Sequence, residues 1–167
     1  LILPMDYFTY FNFSFPRLAI IMATLSVLLV EDDSGDALLA RMALEEQAYT
    51  SSLTTRTTGR EALDFLTTAP PCSPCGHPVD LVLLDGSLSD CSGLDILKAI
   101  RSIPRLENLP VVMLTGSSSP ALKAAFMNHG ASRVIEKSGD FNQLVESLAP
   151  LPDECLQKTA EHQEYVF

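Results

Sequence analysis

The sequence predicts an α/β protein built as a doubly wound (βα)5 parallel sheet. Short runs alternate with segments of helical period, and three of the runs are compact and rich in Val and Leu, as strands covered on both faces should be. Five such strand–helix pairs follow one another, with no internal repeat at a fixed period. Alternation of this kind implies parallel strands, right-handed crossovers and helices on both faces of the sheet. It also places functional groups at the carboxyl ends of the strands.

The elements follow in order. Leu25–Val30 (LSVLLV) is the first strand, and 35–47 the helix after it. Residues 49–57 are Thr-rich with weaker alternation, which suits a sheet edge, and a helix follows over 60–68. Residues 69–78 (APPCSPCGHP) form a Pro-rich loop, longer than most in such folds. The third strand is read over 79–84 (VDLVLL), and its helix carries Ile96, Leu97, Ile100 and Ile103 on one face. Val111–Thr115 is the fourth strand, followed by the stripe Leu122, Ala125 and Phe126. Arg133–Glu136 is the fifth, and Phe141, Leu144, Val145 and Leu148 keep the helical spacing after it. Pro150 and Pro152 are expected to stop that helix. If the strand ends meet, the strand order is 2-1-3-4-5, with two helices on one face and three on the other.

Composition narrows the class. At 167 residues and 47% apolar, the chain has room for one domain with a sizeable core. Eleven basic against twenty-one acidic residues give a net charge of −10, which argues against a phosphate-gripping face and hence against nucleic acid. Four Cys are too few for a disulfide-built scaffold, so a reduced, cytoplasmic setting is expected. The longest apolar run, residues 18–30, has thirteen residues and includes Thr24 and Ser26; a membrane helix needs about 20. Tyr7, Phe8, Tyr10, Phe11, Phe13 and Phe15 crowd ahead of Pro16, with no basic residues to make a secretory signal. Residues 1–22 are therefore expected to be a poorly structured arm, or upstream sequence preceding a start at Met22. A domain over 23–148 and a short tail over 149–167 complete the division.

The strand ends carry the chemistry. The first strand runs into Glu31, Asp32 and Asp33, the third into Asp85, the fourth ends at Thr115 and the fifth at Lys137. Taken singly, each is ordinary: an acidic run is often a solvated cap, with Asp33 or Ser34 capping the next helix, and a lone Lys is usually surface. Together, at successive strand ends of one βα array, they describe a crevice. Crowded carboxylates repel unless a divalent cation sits among them, and Lys137 can hold a phosphoryl oxygen as a point charge. Thr115 can donate a hydrogen bond to another oxygen. The set suits a phosphoryl group carried on a carboxylate and bridged by magnesium.

These segments resemble a known family. VLLVEDDSGDALLARMALEE, LVLLDGSLSDCSGLDILKAIR, LPVVMLTGSSS and VIEKSGDFNQL are similar to the signature blocks of the response-regulator receiver domain, over about residues 25–148. The resemblance implies a flavodoxin-like fold and phosphorylation of Asp85. It implies Mg2+ bound by Asp32 directly, by Glu31 through water, by Asp85, and by the Ser87 backbone carbonyl. Thr115 would be the switch hydroxyl, and Lys137 would bind the phosphoryl group. EDDSGDALLARMALEE and the Lys137-Ser138 pair look like the stand-alone regulators of phytochrome-type histidine kinases. The sequence departs from the family at Gly86, where an apolar residue is usual, at Ser89 and Ser138, where Pro is usual, and at Val134, where an aromatic switch residue is usual.

Other constellations fall short. Cys72-Ser-Pro-Cys75 with His77 offers too few zinc ligands, since no second CxxC follows, and Cys91 and Cys155 lie elsewhere. There is no P-loop, GxGxxG or GxSxG, and His129 sits near a helix end, where capping is its ordinary role. Asp85-Gly-Ser lacks the second Asp of Asp-nucleophile phosphatases, so an enzyme acting on an external substrate is not expected. The expected function is a single-domain response regulator, phosphorylated on Asp85 by a histidine kinase and signalling through protein contacts. The family resemblance also implies self-association through the last two helices and the strand between them. The alternative is a receiver-fold scaffold constitutively bound to its partner, which Gly86 and Val134 keep open.

Overall fold

Five parallel strands form a single sheet in the order β2-β1-β3-β4-β5. The structure is a computed structural model that describes residues 25–47, 51–71, 76–152 and 155. The aromatic arm, Tyr49 and Thr50, the Cys72–Cys75 pair, and the acidic tail residues Asp153, Glu154, Glu161 and Glu164 lie outside the described residues. The strands are β1 (Leu25–Val30), β2 (Ser51–Arg56), β3 (Leu81–Asp85), β4 (Val111–Thr115) and β5 (Arg133–Glu136). The helices are α1 (Ser34–Glu45), α2 (Gly59–Thr68), α3 (Gly93–Ser102), α4 (Pro120–Asn128) and α5 (Phe141–Leu148). A 3-10 turn, Pro104–Leu106, joins α3 to β4.

Every residue of β3 and of β4 is buried, as runs this rich in Val and Leu require of central strands. Two apolar layers sandwich the sheet. Ala40, Ala43 and Leu44 of α1 and Leu148 of α5 cover one face, packing on Val27, Leu29, Leu83 and Ile135. Ala62 and Leu66 of α2, Ile96, Leu97 and Ile100 of α3, and Phe126 of α4 cover the other. The division of two helices and three is the one expected.

Each helix starts where a short polar side chain can take a free backbone N–H. Asp33, Thr58, Ser92, Ser119 and Asp140 are the N-caps of α1 to α5, and each accepts from an N–H of the first turn. The end of α4 is a Schellman turn: Gly130, at φ +91°, donates to the Met127 carbonyl, and Ala131 to that of Phe126. His129 is exposed there, with Nδ1 2.8 Å from the Ala125 carbonyl, in keeping with a capping role.

The first helix is Ser34–Glu45 rather than 35–47, and two further differences bear on packing. β3 runs over Leu81–Asp85, so it begins two residues later than the apolar run and takes in the acid at its end. Asp80 precedes it and accepts from the Ser26 N–H at 2.7 Å, while Val79 packs into the core outside the strand. The chain leaves α5 at Ala149, but it does not simply run off. Residues 151–152 are helical again, and Leu151 and Cys155 are buried against the α1–α5 layer. A Pro early in a helix is tolerated, because the first turn lacks internal N–H partners anyway.

Candidate functional site

Parallel strands bring their carboxyl ends to one edge of the sheet, and the register makes that edge a pocket. Val30 pairs with Leu84, and Asp85 with Leu114, so Glu31 and Asp85 leave adjacent strands at the same level. Thr115 pairs with Glu136, and the Lys137 N–H donates to the Thr115 carbonyl at 2.8 Å, which brings the lysine stem over the same edge. Glu31, Asp85 and Thr115 are buried, and Asp32 is exposed at the mouth.

Lys137 ties the pocket together. Its Nζ donates to Glu31 Oε2 at 2.6 Å and Asp36 Oδ2 at 2.9 Å, and pairs with Asp85 Oδ1 at 2.8 Å. Burial alone would lower the Lys137 pKa. Hydrogen bonds to Asp85, Glu31 and Asp36 outweigh it and raise the pKa, so the ammonium stays charged. The Glu31 pKa is also raised, but by burial, which outweighs the pull of Lys137.

The remaining contacts shape the pocket from the backbone. The second oxygen of Asp85 accepts from the Ser87 N–H at 3.1 Å, and Asp32 Oδ2 accepts from the Ser89 N–H at 2.9 Å. The loop after β3 is folded tightly against the sheet end. Gly93 donates to the Gly86 carbonyl, and a Cβ at Gly93 would run into the Asp85 carbonyl oxygen. Thr115 Oγ1 accepts from the Ser117 N–H at 3.1 Å. A Cβ at Gly86 would stand 3.2 Å from Phe126 Cζ and 3.5 Å from Thr115 Cβ, so the α4 ring fills the space a larger residue would take.

One oxygen each from Glu31, Asp32 and Asp85 lie within 4.8 Å of one another. Octahedral Mg2+ holds oxygens at about 2.0–2.1 Å, which sets ligand pairs about 3–4 Å apart. The three carboxylates fit such an ion, with room for one to be reached through water. All six residues singled out from the sequence lie at or beside this pocket. Asp36 was not among them. Its place four residues into an acidic turn reads as ordinary helix-start chemistry, and only the tertiary contact sets it apart.

The sequence model of the response regulator receiver domain matches residues 27–149. The chain belongs to the response regulator receiver family. It is 33% identical over 137 residues to the "Probable methanogenesis regulatory protein FilR2" of Methanothrix harundinacea, covering 81% of this chain and 78% of that one. It is 32% identical over 111 residues to the cell cycle transcriptional regulator CtrA of Caulobacter vibrioides, where the match spans only 43% of the relative's length. Among solved structures it resembles the phosphorylated cyanobacterial phytochrome response regulator RcpA, at 28% identity and a TM-score of 0.68 over 80% of this chain and 95% of that one. The Mn2+-bound response regulator Rcp1 gives 27% and 0.65 over 76% and 91%.

The receiver fold places the protein in two-component signalling. Receiver domains are in general phosphoacceptors rather than enzymes with an external substrate. They bind Mg2+ at an acidic pocket and exchange phosphoryl groups with histidine kinases and relay partners. Among the described residues, no helix is long and apolar enough to cross a membrane.

Proposed function

We propose that this receiver accepts a phosphoryl group on Asp85 from a histidine kinase, with Mg2+, in the cytoplasm, and signals by protein contact. The observation that carries the reading is Lys137 Nζ bridging Glu31 and Asp85 at the carboxyl ends of three strands. An Asp85 carboxylate oxygen forms the bond to phosphorus as the P–N bond to the kinase histidine breaks, the electron pair leaving with the imidazole. Lys137 and the Thr115 hydroxyl receive phosphoryl oxygens. Mg2+ held by Asp32, Asp85, the Ser87 carbonyl and, through water, Glu31 would offset the charge that three carboxylates otherwise turn against the donor. Similarity to RcpA and Rcp1 supports a phytochrome-type kinase as the donor's class.

Labelling by radioactive acetyl phosphate tests the reading. The protein should incorporate label only with Mg2+, EDTA should abolish it, and Asp85→Asn should remain folded yet unlabelled. Label on Asp85→Asn, or label undiminished by EDTA, would overturn the mechanism. A folded wild-type chain that takes no label with Mg2+ would leave the constitutive scaffold as the better reading.

A further inference from the structure

Lys137 has three N–H donors, and all three are committed before any phosphoryl group arrives. Glu31 and Asp85 are two of the acceptors, and their side chains are 1% and 8% exposed. The third is Asp36, at 42%. A phosphoryl oxygen that binds Lys137 must therefore displace one of three carboxylates. Asp85 itself carries the incoming group and stays in the site, and buried Glu31 has little access to water, whereas Asp36 can turn out and be solvated at once.

Asp36 is also free of the local task its position would set. It stands three residues after the N-cap Asp33, where an acidic side chain ordinarily returns to the cap's own N–H. Here that N–H donates to Glu31 Oε1 at 3.1 Å, and the Asp36 carboxylate goes to Lys137, 101 residues away. Only the Asp36 backbone N–H serves the cap, donating to Asp33 Oδ1 at 2.8 Å.

We propose that Asp36 is a positioning residue that holds the third N–H of Lys137 in the resting protein and must yield it to the phosphoryl group. Asp36 thereby opposes the phosphorylated state and lowers its stability relative to the resting one. The inference rests on the phosphoacceptor reading above, which supplies the incoming group.

Two measurements on the full-length protein test it. The first is Mg2+-dependent beryllofluoride affinity, which reports a phosphoryl-like group on Asp85. Asp36→Asn should tighten it about three- to tenfold, and Asp36→Glu, which keeps charge and reach, should return it toward wild type. The second needs no metal: hydrogen exchange of the Lys137 ammonium, read by nitrogen NMR with Lys137→Arg for assignment. It should quicken in Asp36→Asn and stay slow in Asp36→Glu. Unchanged or weaker beryllofluoride binding in folded Asp36→Asn, or unchanged ammonium exchange, would overturn the proposal. Wild-type protein that binds no beryllofluoride would instead overturn the phosphoacceptor reading, while the metal-free exchange still reports on the contact. If Asp36→Asn fails to fold, Asp36→Ser carries the same comparison.

Discussion

Lys137 shows how one side chain sets the character of a pocket. Three carboxylates around one ammonium leave a net negative cradle, attractive to a divalent cation and, without one, repulsive to an anionic donor. In the proposed mechanism Lys137 would stabilise the phosphoryl group without reacting with it. Lys137→Ala should therefore keep some acetyl phosphate labelling, lowered about tenfold or more, while the label no longer changes the protein's surface. Comparing amide NMR spectra before and after beryllofluoride reads this: large shifts in the wild type, few beyond the pocket in Lys137→Ala. A full wild-type shift pattern in the variant would assign the switch elsewhere. Val134 frames the same question, since it packs on the core where an aromatic switch residue is usual, while the ring beside Gly86 and Thr115 comes from Phe126 of α4.

At the scale of elements, the loop after β3 holds more than the site. Asp90 in that loop accepts from the Gly59 N–H at 3.1 Å and the Arg60 N–H at 3.3 Å, adding an external cap to α2 beside its own Thr58. The Gly59 hydrogen bond, with help from the Cys91 thiol and the Arg60 N–H, holds the Asp90 carboxyl below its ordinary value. A carboxyl depressed in the folded state stabilises above its unfolded pKa, about 4, and loses that contribution as pH falls through the lower folded value. Asp90→Asn should unfold at lower denaturant than wild type at pH 7, with the difference shrinking as pH drops toward 3. A difference that stays constant or grows on acidification would mean that the cap does not act through the charge. Cys91 of the same loop and Ile96 of α3 lie close to Gly59, so α2 and α3 meet at a glycine and their spacing depends on it.

The molecule as a whole has unequal surfaces. Leu38, Leu39 and Met42 are exposed on α1 and Met127 on α4, while the core between the layers is closed. A net charge of −10 offers no phosphate-gripping excess of basic residues, and the proposed output is through protein contacts. We propose self-association through α4, β5 and α5 in the phosphorylated form, with residues 1–22 dispensable for it. Sedimentation of the full chain and of a chain starting at Met22, each with and without beryllofluoride, should show the same shift toward a dimer. Only monomer in all four samples would remove the dimer, and loss of folding in the shorter chain would tie the aromatic arm to the domain.

The sequence by itself determined the elements, their order and the acidic edge. Apolar runs buried on both faces read directly as central strands, and the period of Ile96, Leu97 and Ile100 reads as a helix face, because both follow from local geometry repeated along the chain. Glu31, Asp85, Thr115 and Lys137 were legible for the same reason: parallel strands deliver their ends to one edge whatever the details of packing. Tertiary structure alone decided which of several acidic residues meets Lys137, that Asp90 caps a helix 30 residues back, and that Leu151 and Cys155 return to the core beyond two prolines. Each is a contact between residues distant in sequence, of a type common on any protein surface. Asp33 caps α1 and Asp36 sits in its first turn, both ordinary places for an acid, and only the fold brings an ammonium within 2.9 Å of Asp36.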